Sequence, residues 1–457
     1  MHLDHTSHPP AIFIETYGCQ MNKYDSELIQ SILEEAGYVF STVPEKADVI
    51  LINTCSVRAH AEERALGRIS VLSSWKKASP KRKLGVVGCM AQRLGEALVQ
   101  LKPYIDFVVG PDGYRDLPQI IRDANTRPIV HIPQNGEEVY QGIFPALDSG
   151  VCTWVTISRG CNNFCTYCIV PYTRGPERPR PYSEILKEVA SKVQHGSREI
   201  TLLGQNVNSY RDGEIDFPRL LQRVSEIDGL FRIRFLTSHP KDISDQLFEI
   251  MRSSPKICPH LHLPLQSGSN RILEKMDRKY TREQYLQIVQ KARAQIPDLA
   301  LTTDVLVGFP GETEADFEQT CALLEEIRFD DAFTYYFSPR KGTKAAEMKE
   351  QIPKPERLER LRRLIELQRR ITLDAKCQWI GRTVEVLVER PSRRSSKEWM
   401  GRTPQNHVVV FSAEEAHPGD FLNVNIEAIQ GTTFRGKVKE KNHYPIQMTM
   451  EENHGTF

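Results

Sequence analysis

No apolar run in this 457-residue chain approaches the roughly eighteen residues that suggest a membrane helix. The opening MHLDHTSHPP also lacks the apolar core of a secretory leader. The expectation is a cytoplasmic protein with no membrane partner. Cysteine is sparse: ten in a chain of this size are too few for a secreted disulfide scaffold, and their grouping points to metal chemistry in a reducing compartment. Net charge is nearly absent, at +1. That balance neither demands nor excludes nucleic acid, because phosphate binding can rest on a local basic face. What is present is length, with 40% hydrophobic and 26% charged residues, enough for several domains with their own cores.

Six of the cysteines fall into two sets of three. Cys161, Cys165 and Cys168 stand at CxxxCxxC spacing in CNNFCTYCIVPYTRG, directly after a strand-like run. Three thiolates so close together hold three corners of a cubane iron-sulfur cluster, which takes four cysteines in plain electron carriers. The fourth iron is then open to chelate S-adenosylmethionine and pass it one electron, giving a 5′-deoxyadenosyl radical. A zinc site would bring a second cysteine pair or a histidine pair, and neither lies nearby. Cys19, Cys55 and Cys89 form the second set, separated by 36 and 34 residues, about one strand-helix unit each. Each follows a short strand, so all three land in loops at the carboxyl edge of one sheet, where open α/β sheets bind ligands. A second cluster with one open iron is the functional reading; small apolar cysteines packing loops onto the sheet are the plain one.

The first 128 residues alternate strand and helix, with strands at 12–14, 49–52, 83–87 and 106–109. Asp25 or Ser26 is expected to cap a first helix carrying Leu28, Ile29, Ile32, Leu33 and Ala36, with Gly37 ending it. The pattern implies a parallel sheet covered on both faces, Rossmann-like or flavodoxin-like. IPQNGEEVYQGIFPALDSG reads as a linker. Six further strands, at 153–158, 199–205, 231–237, 258–265, 300–307 and 332–337, fit a partial, laterally open (βα)6 TIM-like barrel. Its strand ends carry Gly204, Gln205, Asn206, Ser238, His239, Gln266 and Ser267, and the turn 308–312. These read as contacts for the cofactor and a target base. His195, His239, His260 and His262 read as packing residues, and Cys152, Cys258, Cys321 and Cys377 as structural.

The segment 354–379 reads as one helix with Leu358, Leu361, Leu364, Ile365 and Ile371 on one face. Its arginines suit phosphate or, equally, a solvated face offset by Glu356, Glu359 and Glu366. Four alternating strands after Gly381 suggest a small OB-like β-barrel. Arg390, Arg393, Arg394, Lys397 and Arg402, with Trp399 interleaved, offer phosphate contacts and a stacking surface for RNA. Residues from 444 onward read as disordered or loosely attached.

CNNFCTYC, with Tyr167 at the aromatic position before the last cysteine, resembles the radical S-adenosylmethionine superfamily. TYGCQMNKYDSE, LINTCSVR, GCMAQR, LLGQNVNSY and PLQSGSNRILEKMDRKYT are similar to its methylthiotransferase subfamily, and GRTPQNHVVVF to the TRAM domain of RNA-modifying enzymes. The resemblance implies three domains: an N-terminal domain with an auxiliary cluster at 11–128, a radical core at 147–377 and a TRAM domain at 380–443. It implies two 4Fe-4S clusters and S-adenosylmethionine as cofactors, an electron-donor protein, a monomer, and a tRNA anticodon stem-loop as partner. Gln20 and Met21 after the first cysteine resemble the branch that adds a methylthio group to isopentenylated adenosine. Threonylcarbamoyladenosine in tRNA and a ribosomal-protein aspartate are the targets of the other branches, and an RNA-binding protein with structural zinc is the remote alternative. Two departures stand out: LLGQN replaces the superfamily's Gly-Gly-Glu motif, and Pro179 replaces an expected serine.

Overall fold

Short β-branched runs separated by amphipathic helices form parallel sheets twice over in this chain. The computed structural model describes residues 9–56, 59–134, 136–145, 150–395 and 397–442. The first eight residues and the tail from 443, including the segment expected to be disordered, lie outside the described residues.

The N-terminal sheet has six parallel strands in the order Val39–Phe40, Ala11–Tyr17, Val49–Thr54, Lys83–Gly88, Phe107–Val109, Ile129–His131. Val49–Thr54 is buried along its whole length, as a strand covered on both faces must be. Leu28, Ile29, Leu33 and Phe107 pack one face, and Ile50, Ile69, Leu84 and Leu98 the other. The first helix, Gln20–Glu35, corrects the expected cap. Cys19 is its N-cap, and Asn22 closes a capping box. Asp25 and Ser26 instead lie buried one turn inside. Asn22 supplies the hydrogen bonds that the first turn needs, which leaves the Asp25 carboxylate free for partners elsewhere. The described part of the stretch expected as a linker is tied down at Tyr140. Tyr140 is buried, stacks on Tyr114 at 5.7 Å and donates to Pro111 O at 2.7 Å.

Six parallel strands follow: Cys152–Thr156, Glu199–Leu203, Arg232–Phe235, His260–His262, Ala300–Val307 and Asp331–Tyr336. They form two three-stranded sets joined by the bridge Ile233 to Ile257. Among the described residues the first and last strands do not pair, so the barrel is laterally open. One core fills it, from Val155 and Leu202 through Leu261 to Val305 and Phe329. Helix Lys354–Cys377 packs on the last strand through Leu364 and Ile371. Leu358 and Ile365, expected on the same face, are 42% and 46% exposed. The buried stripe runs instead through Arg360, Leu364, Gln368 and Ile371, where Gln368 donates to Phe329 O at 3.0 Å and Arg360 pairs with Glu312 at 2.9 Å. Polar residues hold those positions because each finds a buried partner.

The C-terminal strands Thr383–Pro391, Glu398–Arg402, Val408–Ser412, Thr433–Asn442 and Phe421–Gln430 close into a five-stranded barrel. Glu398–Arg402 escaped the sequence reading because Gly401 breaks its alternation. A Cβ there would sit 2.2 Å from Leu387 O, so the close strand crossing requires glycine.

Buried polar contacts join the three parts. Asp25 of the first helix is met by Arg159 at 2.9 Å and Arg174 at 2.6 Å, all three at most 4% exposed. Tyr24 donates to Glu188 at 3.1 Å and accepts from Arg180 at 2.9 Å. On the other side, Arg232 and Arg234 donate to the carbonyls of Arg402, Thr403 and Pro404, each at 2.7 Å. Burial pushes the Asp25 carboxyl up, and Arg174 and Arg159 more than reverse it, leaving its pKa below the usual value. Asp25→Asn leaves both arginines without a carboxylate. It is expected to cost about 3–5 kcal/mol of stability, read as a lowered urea midpoint; a loss under about 0.5 kcal/mol, ordinary for a surface change, would contradict this.

Candidate functional site

Cys19, Cys55 and Cys89 follow strands Ala11–Tyr17, Val49–Thr54 and Lys83–Gly88, with Cys89 opening helix Cys89–Leu94 directly rather than lying in the expected loop, and the three strand ends pack on one another. A Cβ on Gly18 would fall 2.8 Å from the Cys55 Cβ, and one on Gly88 2.6 Å from Thr54 O. Only glycine lets the loops close. A hydrogen bond with Cys55 is the largest influence on the Cys19 thiol; with Arg174 adding to it against burial, its pKa falls to about 6. Burial raises Cys89, and the Arg174 charge opposes it. Cys19 packs with Met21, Tyr24, Leu203, Trp154 and Leu236, so this sheet edge lies on the carboxyl ends of the first barrel strands.

Cys161, Cys165 and Cys168 sit in the loop after the first barrel strand. Gly160 (φ +76) makes the entering turn, where a Cβ would collide with Pro176 O at 1.9 Å. Cys161 N donates to Gly175 O at 3.2 Å and Cys168 N to Cys165 O at 2.9 Å. Burial, then the charge of Cys165, raises the Cys168 thiol to about 12. Buried Arg278 approaches Cys165 Sγ at 3.4 Å and the Tyr167 hydroxyl at 3.5 Å, and anchors on Pro264 O at 3.2 Å. Pro179 lies in a two-residue ribbon, Arg178–Pro179 against Ser158–Arg159, which sets the path of this loop.

Among the described residues no group of three or more His, Cys, Asp and Glu side chains is set to hold a single metal ion, and none of the ten cysteines is in a disulfide. A cubane cluster is wider than an ion and takes thiolates standing farther apart. Each triplet offers three sulfur donors from loops with one buried arginine beside them and no carboxylate among the three. That donor set fits a thiolate-ligated cluster.

The mouth of the barrel holds an excess of buried polar atoms without partners: Ser158 Oγ, Gln205 Oε1, Asn206 Oδ1, Asn208 Oδ1, Ser238 Oγ and His239 Nε2. They come from three consecutive strand ends. Such atoms are costly unless something polar meets them, and an amino acid joined to a nucleoside is of that kind. Thr237 at φ +70, rare for a β-branched residue, and Gln266 at φ +68 mark strained backbone at the same rim. Asn206 is oriented by Asp242 at 2.6 Å. Gly204 is needed, since a Cβ would lie 2.7 Å from Ser158 Oγ. Ser267 is turned into its own loop, its Oγ accepting from Ser269 N at 3.2 Å and lying 3.4 Å from Thr320 Oγ1. Ser158 and Asn208 join the set only through the fold. Burial drives the His239 pKa down to about 2, so the ring is neutral. His260 and His262 are hydrogen-bonded packing residues, whereas His195 is exposed at the end of its helix and meets Ser191 O at 2.8 Å, which corrects its reading as packing. Cys258 is buried, but Cys377 is exposed, which corrects its reading as structural packing.

In the C-terminal barrel, Arg390, Arg393 and Arg394 line a cleft of about 410 Å³ that also takes Arg435. Lys397 is exposed. Trp399 is half-buried, packs on the barrel core and donates Nε1–H to Ala413 O at 3.2 Å; Arg402 pairs with Glu389 at 3.6 Å. The helix arginines are largely paired, Arg362 with Glu359 at 2.8 Å and Glu366 at 2.7 Å, which favours the solvated face over phosphate contact.

Three family models match in series: the radical SAM superfamily over residues 155–324, Uncharacterized protein family UPF0004 over 11–110 and the TRAM domain over 378–439. A tRNA-2-methylthio-N(6)-dimethylallyladenosine synthase of Thermoanaerobacter sp. is 49% identical over 93% of this chain and 92% of its own. The chain belongs to this synthase family. The Carboxydothermus hydrogenoformans member is 47% identical over 91% of this chain and 96% of its own. The family's fold has a distant solved counterpart in the radical S-adenosylmethionine methyltransferase TsrM of Kitasatospora setae. TsrM has a TM-score of 0.58 at 12% identity, covering 74% of this chain and 77% of that one.

The low thiol pKa at the sheet edge has a direct test in iron-free protein. Thiolate is the reactive form, so iodoacetamide should label one thiol of the Cys19–Cys55 pair with a half-point near pH 6, and Cys168 only in strong alkali. A half-point near the ordinary thiol value of about 8.5 for the pair would contradict the geometry.

Proposed function

We propose that this chain adds a methylthio group to carbon 2 of N6-isopentenyladenosine beside the anticodon of tRNA. The reading is supported by the sheet-edge site lying against the barrel's strand ends, where Cys19 packs on Leu203, Trp154 and Leu236. When bound, the clusters and S-adenosylmethionine supply one-electron reductive cleavage to a hydrogen-abstracting radical, and a held, methylated sulfur for transfer. An aromatic C–H is too weak an acid for general-base removal, which is why a radical is needed.

The chain's own residues fill the other roles. Cys161, Cys165 and Cys168 hold one 4Fe-4S cluster, and Cys19, Cys55 and Cys89 the auxiliary one. Tyr167, Gly204, Gln205, Asn206, Ser238 and Gln266, joined by Ser158, Asn208 and His239, receive S-adenosylmethionine and orient the base. Neutral His239 accepts or donates one hydrogen bond at Nε2 without adding charge. Arg390, Arg393 and Arg394, with Arg435, grip the phosphates of the anticodon stem-loop, with Lys397 and Arg402 at the edge of that surface. Trp399 supports the surface from inside rather than stacking. The chain divides into units at 11–128, 147–377 and 380–443. It works as a cytoplasmic monomer and draws its electron from a separate reducing protein.

Mass spectrometry of tRNA nucleosides from a deletion strain tests the branch: loss of the 2-methylthio isopentenyl nucleoside supports the reading, and loss of a methylthio threonylcarbamoyl nucleoside overturns it. Changing Cys161, Cys165 and Cys168 to alanine is expected to abolish 5′-deoxyadenosine formation. The matching change at Cys19, Cys55 and Cys89 should leave about one cluster per chain and residual cofactor cleavage; iron unchanged from the parent would sink the auxiliary site.

A further inference from the structure

We infer that Arg174 is the counter-cation of the sheet-edge site, pinning the open barrel to the N-terminal sheet through Asp25 and turning its remaining N–H groups toward whatever Cys19, Cys55 and Cys89 hold. The inference rests on the assignment of a cluster to those three cysteines.

Arg174 ends the short helix Val170–Arg174, six positions after Cys168, yet it serves the other triplet. Its helix packs against helix Cys89–Leu94, whose first residue is a ligand of the proposed auxiliary cluster. The charge count is uneven. Two buried guanidinium groups share the single Asp25 carboxylate, and the nearby Asp112 is taken by Arg178 in a two-pronged pair at 2.7 and 3.2 Å. Arg159 spreads its charge onto Pro111 O at 3.2 Å and over the Tyr140 ring at 4.8 Å. Arg174 has no such outlet: it is 4% exposed, its side chain donates to Asp25 at 2.6 Å and approaches Cys89, and its Nη1 has no oxygen or nitrogen partner among the described residues. An unmatched buried cation is expensive, and beyond Asp25 and Tyr114 the groups its charge acts on are the Cys89 and Cys19 thiols. An iron-sulfur core held by three thiolates and no cationic ligand is a net anion, so it supplies the charge that this pocket lacks. A positive charge beside such a group favours its reduced form. Arg278 against Cys165 repeats the device at the barrel site.

The test uses the full chain with Cys161, Cys165 and Cys168 changed to alanine, so that only the sheet edge can hold iron. Iron and sulfide analysis comes first; a parent that loads no iron defeats the auxiliary-cluster assignment and leaves nothing for Arg174 to serve. Midpoint potentials are then read by dithionite titration with electron paramagnetic resonance. Arg174→Met leaves Asp25 paired with Arg159, so the iron-free fold is expected to survive. Its reduction equilibrium should shift at least tenfold toward the oxidised form, about 59 mV for one electron, or its cluster should be lost on gel filtration. Arg174→Lys, which keeps the charge and loses the planar fork, should recover at least half of that shift or of the lost iron. An Arg174→Met variant that keeps its iron at the parent potential while unfolding at lower urea makes Arg174 a structural pin only and overturns the inference. So does an Arg174→Lys variant no better than Arg174→Met.

Discussion

One buried carboxylate shared between two arginines holds the molecule in its working arrangement. Asp25 lies on the helix that Cys19 caps, while Arg159 and Arg174 flank the barrel's cysteine loop. The contact therefore fixes two cysteine-bearing segments relative to each other, which neither sheet could do alone. Hydrophobic burial would join the two parts just as firmly, but it is non-directional. Charged, fork-shaped donors demand one orientation. Around this centre, Tyr24 with Arg180 and Glu188, and Asp112 with Arg178, repeat the same choice of partner.

The two cysteine sets are built on a common plan with different sources. At the barrel, three cysteines lie within eight consecutive residues, and the turn at Gly160 shapes a single loop. At the sheet edge, each cysteine follows its own strand, and Gly18 and Gly88 let the three strand ends touch. A local motif tolerates changes elsewhere in the fold. A site assembled from three strands depends on the register of the whole sheet, since sliding Val49–Thr54 by one residue would turn Cys55 away from Cys19.

What could be read from the sequence divides along the same line. Strand-helix alternation and the C-terminal barrel were legible because they are local or periodic. Asp25 was not: an aspartate near a helix start reads as a cap, and its true partners lie 134 and 149 residues away. Trp399 looked like a stacking surface among arginines until the barrel took up its ring and its N–H. Ser267 stood at a strand end like Ser238, but its hydroxyl is engaged within its own loop whereas that of Ser238 is unengaged. Polar identity at a strand end is visible in a sequence; the direction of the side chain is not.

Strand Arg232–Phe235 binds the C-terminal barrel through Arg232 and Arg234, and its far end leads straight to Thr237, Ser238 and His239 at the mouth. A single stiff element thus links the C-terminal barrel to the rim of the open barrel's mouth, so the reach between the two is set by one strand rather than by a hinge.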